Sequence, residues 1–227
     1  MQELYTQTAT PASSVEVSKV LRNTYTLLSV TLAWSAITAS ISMAIGIGHG
    51  MALILNLVAI GLLWFVLPKT ANSSAGLLVV LAFTGLLGAG IGPMLSHYLA
   101  LPNGGAMVMQ ALGATALVFL SLSGYVLVTG KDFSFLGGFL FIGLMVAILA
   151  MVGVFIAGFF GVAISGVSLA ISAMVVLLMS GFILYDTSRI IHGGETNYLW
   201  ATTALYLDIL NLFTHLLHLI GAFSSDD

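Results

Sequence analysis

The sequence contains no cysteine, and it has five basic and eight acidic residues among 227. Without cysteine there is no disulfide, no thiol catalysis and no Cys-based metal site. Charged residues make up 6% of the chain, roughly a quarter of the ~25% typical of soluble domains. Five basic residues and a net charge of −3 argue against nucleic-acid binding. Proline is scarce as well: there are four, and none follows Pro102. What fills the chain instead is apolar. Hydrophobic residues reach 59% and the mean hydropathy is +1.14. That excludes disorder, which needs low hydrophobicity and high net charge. A soluble surface cannot be assembled from such a composition, so the sequence reads as an integral membrane protein. The N-terminus does not read as a signal peptide, because Glu3, Glu16, Lys19 and Arg22 precede the first span without an apolar core of their own.

The few charges divide the chain. Residues 23–68, 70–130 and 133–185 are free of Asp, Glu, Lys and Arg. A spanning helix needs roughly 20 residues, so each run holds two helices and a turn. The spacing predicts spans at 24–46, 50–68, 76–98, 106–129, 133–157 and 164–192. Turns fall at Gly46–Gly50, at Pro102-Asn103-Gly104-Gly105 and around Gly158–Gly161. A seventh span is expected from Asn197 to about Phe223, with Gly193-Gly194 stopping helix six and Thr196 as a plausible N-cap. The fold class is therefore an all-α membrane protein of seven transmembrane helices. Its parts are an N-terminal tail (1–22), one membrane domain (23–223) and a C-terminal tail (224–227).

Lys19, Arg22, Lys69, Lys131 and Arg189 all fall on one side of this arrangement. The positive-inside rule makes that side cytoplasmic, with the N-terminus inside and the C-terminus outside. The twenty-five glycines suit close helix packing in lipid. No internal sequence repeat stands out. Trp34 falls in mid-span, so the three tryptophans do not form one interfacial belt.

Two acids lie inside spans: Asp186 in Leu184-Tyr185-Asp186, and Asp208 in Leu205-Tyr206-Leu207-Asp208. An acid at a helix centre costs roughly 2.5–3.5 kcal/mol on insertion scales, so it is expected to face the bundle interior and to have a partner. Helices six and seven are neighbours through a short loop, and their carboxyls can approach at similar depth. Such a pair would share one proton near neutrality and titrate in two steps. The alternative pairs Asp186 with Arg189 and satisfies Asp208 by a Tyr or Asn. Further along helix seven, Asp208, Asn211, His215 and His218 fall within an arc of about 80°. That stripe either hydrogen-bonds to neighbouring helices or forms a proton or cation path. Zinc on Asp208, His215 and His218 is disfavoured, because residues 208 and 215 are two turns apart.

Enzyme chemistry finds little support. Tyr185-Asp186 fits one element of an intramembrane aspartyl protease, but the Gly-x-Gly-Asp and Pro-Ala-Leu elements are missing. Gly166-Val167-Ser168-Leu169 lacks the last glycine of a serine intramembrane protease, and no Walker-type loop occurs.

The run Gly88-x-x-Ile91-Gly92-Pro93-x-Leu95, Ala100, Met107-Val108-x-x-Ala111-x-x-x-Thr115-Ala116-Leu117-Val118-Phe119 resembles the signature of the Bax inhibitor-1 family. Upstream, Val79 stands where the signature has Ser or Ala. The Tyr-Asp at 185–186 and Leu-Tyr-Leu-Asp-x-x-Asn-Leu-Phe at 205–213 are also similar to that family. Ile190–Tyr198 resembles its bacterial YccA-like branch, whose members modulate the membrane protease FtsH. The resemblance implies six helices around a central seventh, no enzymatic activity and no cofactor. It also implies an FtsH-type protease as partner in the bacterial inner membrane. In the family's calcium-leak members the two late aspartates, here Asp186 and Asp208, share a proton, sense pH and gate a pore. Calcium is then the candidate ion at that pair, with Arg189, Asn211, His215 and His218 as supporting polar residues. An arginine on the second span latches the pair in such members. Here span two has none, and its nearest base is Lys69 at the end. Inhibition of the protease and a pH-sensitive calcium or proton leak are therefore both expected functions, and they are not exclusive.

Overall fold

A computed structural model describes residues 14–161 and 165–224. Among them, seven helices are long and apolar enough to cross a membrane. They are α1 (Ser14–Ala44), α2 (His49–Thr70), α3 (Ser74–Leu99), α4 (Gly104–Thr129), α5 (Gly137–Phe159), α6 (Ser165–Ile191) and α7 (Tyr198–Ser224). Each expected span is present, and no strand occurs among the described residues. The chain is a multi-pass membrane protein.

Two expectations about the ends change. Residues 14–22, expected to lie in a tail, are helical and continuous with the first span. Glu16 in the first turn complements the positive end of the helix dipole. The 31-residue helix is about 46 Å long and therefore outreaches the ~30 Å hydrocarbon layer. The rest of the expected tails, residues 1–13 and 225–227, lies outside the described residues. The N-cap of α7 is Asn197, not Thr196. Asn197 Oδ1 accepts the Leu199 N–H at 2.9 Å, while its Nδ2 donates to Ala71 O at 2.9 Å and Asn72 Oδ1 at 3.1 Å. The Asn197 amide does both jobs at once: its oxygen caps its own helix and its nitrogen ties that helix to the α2–α3 turn.

Helix α6 stops as the two glycines predict. Gly193 takes φ +74°, and the Gly194 N–H returns to Arg189 O at 2.8 Å, closing the helix with its own carbonyls. Both prolines inside helices leave traces. Pro68 has no N–H to give, and α2 widens over Leu62–Val66 into a π-turn just ahead of it. Pro93, inside α3, frees the carbonyl of Ala89 four residues back. Ser42 Oγ on α1 donates to that carbonyl at 2.7 Å. This is how a helix break survives in lipid, where an unpaired carbonyl has no water to turn to.

Helices α1 and α3 form one closely packed pair. Ser35 Oγ donates to Thr84 O at 2.8 Å and Trp34 Nε1 to Leu81 O at 3.0 Å, so the mid-span tryptophan is held by a neighbouring backbone. A side chain at Gly88 would meet the Ser35 backbone. Helix α7 packs directly on α1, α3, α4 and α6, while α2 packs mainly on α3 and α5 on α6. The largest fully buried side chain among the described residues, Tyr206 of α7, has its hydroxyl 2.6 Å from Ser35 Oγ and 3.1 Å from Thr84 O, so the two hydroxyls share that carbonyl. It therefore ties α7 to the α1–α3 pair.

Candidate functional site

Asp186 lies five residues before the end of α6, and Asp208 lies ten residues into α7. Both are buried, and their carboxyl groups are in hydrogen-bonding contact. Two carboxylates only accept, so a hydrogen bond between them would need a proton on one of them. Asp208 Oδ2 is completely buried, and no donor among the described residues reaches it. The alternative partners of Asp208 are engaged elsewhere: Tyr206 as above, and Asn211 through its Nδ2 with Leu207 O at 2.8 Å.

Arg189 is also present at the pair. Its Nη1 stands 3.9 Å from Asp186 Oδ1, a long ion pair. Its Nη2 lies 3.6 Å from Glu195 Oε2 and donates to Gly194 O at 3.2 Å, while the guanidinium lies over the Tyr185 ring. One arginine thus stands between the carboxyl pair and the α6–α7 loop. It comes from α6 itself. Lys69, in the last turn of α2, is exposed.

Around this pair the structure adds residues that the sequence did not single out. Thr187 Oγ1 donates to Ser123 Oγ at 3.3 Å, and Ser123 in turn bonds the Tyr25 hydroxyl. Helices α6, α4 and α1 are thereby joined by hydroxyls one residue beyond Asp186. Next in the chain, Ser188 Oγ donates to Asp132 Oδ1 at 3.2 Å and accepts the Phe133 N–H at 2.9 Å. Asp132 also accepts the Ser134 N–H at 2.8 Å. It lies in the loop before α5. The bonds from Ser134, followed by those of Ser188 and the charge of His192, hold its carboxyl below the usual carboxylate range. For Tyr25, Ser123, Thr187 and Ser188, isolated hydroxyls in apolar spans are the only sequence signal, and they have no periodicity.

The polar stripe of α7 does not form one site. Asp208 faces Asp186, and Asn211 bonds its own helix. His215 Nδ1 is 3.1 Å from Ser172 Oγ, and His218 Nδ1 is 3.5 Å from the Tyr98 hydroxyl. Asp208, His215 and His218 therefore do not converge on a zinc ion. Among the described residues, no three His, Asp or Glu side chains cluster closely enough to hold a metal.

Comparison with known proteins agrees with the motif. The chain is 49% identical to an uncharacterized membrane protein of Vibrio cholerae, over 99% of this chain and 98% of the relative. It is equally similar, over 94% of both chains, to the Escherichia coli K12 protein named modulator of FtsH protease YccA. The counterpart from another E. coli strain is named inner membrane protein YccA. The family described as Inhibitor of apoptosis-promoting Bax1 matches residues 17–225, and the chain belongs to that family.

Proposed function

We propose that this chain sits in a bacterial inner membrane, N-terminus in the cytoplasm and C-terminus outside, and inhibits a membrane-bound FtsH-type protease. It does so as a binding partner and not as an enzyme. The observation that carries this reading is the 49% identity to a relative named as a modulator of that protease. A cleft at the basic end supports it. There the first turns of α1 meet the α6–α7 loop around a space of about 480 Å³, lined by Glu16, Lys19, Asn23, Glu195 and Tyr198 among others. Such a surface is open to a cytoplasmic partner and lies beside the start of α1.

Co-reconstitution with the protease tests the reading: degradation of a standard membrane substrate should slow as this chain is added. Deleting residues 2–13, which removes none of α1, should prolong inhibition or abolish the chain's own degradation. Undiminished proteolysis at saturating amounts, with no association, means the reading is wrong. A reporter fused after Asp227 should score as extracytoplasmic.

The carboxyl pair favours a second reading, a pH-sensitive calcium or proton leak. Loss of the shared proton at higher pH leaves two like charges in contact, which loosens α6 from α7; calcium then screens them. Flux into liposomes should rise with pH, and Asp186→Asn and Asp208→Asn should each flatten that response. If Arg189→Ala alone erases it while both Asn variants keep it, the carboxyl pair is not the sensor.

A further inference from the structure

At the end of the bundle opposite the basic residues, α3, α5, α6 and α7 enclose a cleft of about 260 Å³. Its lining contains no acid. It does contain two imidazoles, His215 and His218, and two thioethers, Met94 and Met151. The histidines are three residues apart on α7 and so share a face.

Each ring is held by one nitrogen. His215 Nδ1 meets Ser172 Oγ at 3.1 Å, and Ser172 is itself buried. His218 Nδ1 meets the Tyr98 hydroxyl at a longer 3.5 Å. The Tyr98 ring packs against α7 at Gly221, where a Cβ would strike it. No hydrogen bond to either Nε2 is made among the described residues. In the tautomer whose Nδ1–H donates to the hydroxyl, Nε2 carries the free lone pair, as in histidines that bind metal through one nitrogen and are oriented by the other.

We propose that this cleft binds a single soft monovalent metal ion of the Cu(I) class, through Nε2 of His215 and His218 and the sulfurs of Met94 and Met151. The donor set decides the metal. Calcium and magnesium need oxygen ligands, and the cleft has no carboxylate to offer them. Thioether sulfur selects Cu(I) over the harder divalent ions, and imidazole accepts it equally. A monovalent ion also brings less charge into an apolar wall that has no anion to neutralise it. The site is separate from the Asp186–Asp208 pair and independent of protease binding.

The test is titration of the detergent-purified full chain with Cu(I) against a chromogenic Cu(I) chelator, under anaerobic and reducing conditions. One ion per chain should be retained, with nitrogen and sulfur scatterers in X-ray absorption. The double variant His215→Ala, His218→Ala should lose it. So should Met94→Leu with Met151→Leu, a volume-conserving pair that a lipid-embedded bundle tolerates. Ser172→Ala should weaken binding by about 10- to 100-fold, the usual effect of removing the group that orients a ligand. The chain has ten methionines, so adventitious thioether binding is the rival. Copper that survives the Met94 and Met151 changes but is lost on Met43→Leu or Met107→Leu overturns the proposal, as does a chain that retains no copper.

Discussion

Helices α5 and α7 are opposites, and the comparison inverts the rule for soluble proteins. Of the seven spans, α5 is the most hydropathic and the least buried, whereas α7 is the least hydropathic and among the most buried. Phe139, Phe141, Ile142, Leu149 and Phe155 of α5 all face outward. Thr202, Thr203, Tyr206 and Asp208 of α7 are all buried. Lipid is as apolar as a leucine side chain, so burying Phe or Leu between helices brings no hydrophobic gain. Polar groups, by contrast, have nowhere else to go. In this chain polarity, not apolarity, marks the core.

The strongest test moves an acid from one helix to the other. Asp208 is accepted on α7 because Asp186 meets it. Leu149→Asp would put the same group on the outward face of α5, where nothing does. The cost should be about 2.5–3.5 kcal/mol, read as failed insertion or a collapse of resistance to SDS unfolding. A variant that inserts and unfolds like the parent would show that α5 faces protein and not lipid.

Glycine gives the next contrast. Gly88→Ala on α3 pushes a methyl into the Ser35 backbone of α1, and backbone cannot step aside. Overpacking of this kind costs typically 1–3 kcal/mol. Gly153→Ala on α5 meets nothing within 4 Å, so its unfolding should be unchanged or slightly harder. Equal effects at both positions would mean that glycine acts through helix propensity and not through close approach.

The same logic explains what the sequence could reveal. The spans and most turns were legible because lipid punishes charge, so runs free of charge are spans and a lone acid in a span is conspicuous. Asp186 and Asp208 stood out for that reason, and their neighbouring helices made contact a reasonable expectation. What was not legible depends on the rotation of one helix against another. Nothing local says that Ser42 will take the carbonyl freed by Pro93, that Tyr25, Ser123 and Thr187 will meet, or that Trp34 will find Leu81. Asn197 displaced Thr196 as the cap because of a contact with residues 71 and 72, far away in sequence. The stripe from Asp208 to His218 was read as one feature, yet its members face three different surroundings.

A hydroxyl should be worth less than either test so far. Tyr206→Phe removes the bonds to Ser35 and Thr84 O while keeping the ring against Phe83. Hydrogen bonds between membrane helices average about 0.6 kcal/mol, and a loss of that order is expected in the midpoint of SDS unfolding. The reverse change, Phe141→Tyr on α5, adds a hydroxyl without a partner and should gain nothing. A loss of several kcal/mol for Tyr206→Phe would instead make this hydroxyl a keystone between α7 and the α1–α3 pair.

The smallest effect concerns how α5 is fastened at the basic end. Its approach is tied to α6 by Asp132, through Ser188, and is ordered by the Ser134 N–H. Because the folded protein holds this carboxyl below its ordinary value of 3.8, the contact contributes fully above that value and is lost as pH falls through the lower, folded one. The group is exposed, so the effect is local. A nitroxide at Phe135→Cys can report it, since the chain has no cysteine of its own to label. At pH 7 Asp132→Asn should make that label more mobile, because a neutral amide oxygen accepts these bonds less strongly than a carboxylate. As the pH falls below the lowered folded pKa, the parent should loosen until the two spectra coincide. A label equally mobile in both proteins at pH 7 would mean that the Asp132 carboxylate is not what fastens α5, leaving that to its packing on α6 and the Phe133 N–H bond to Ser188.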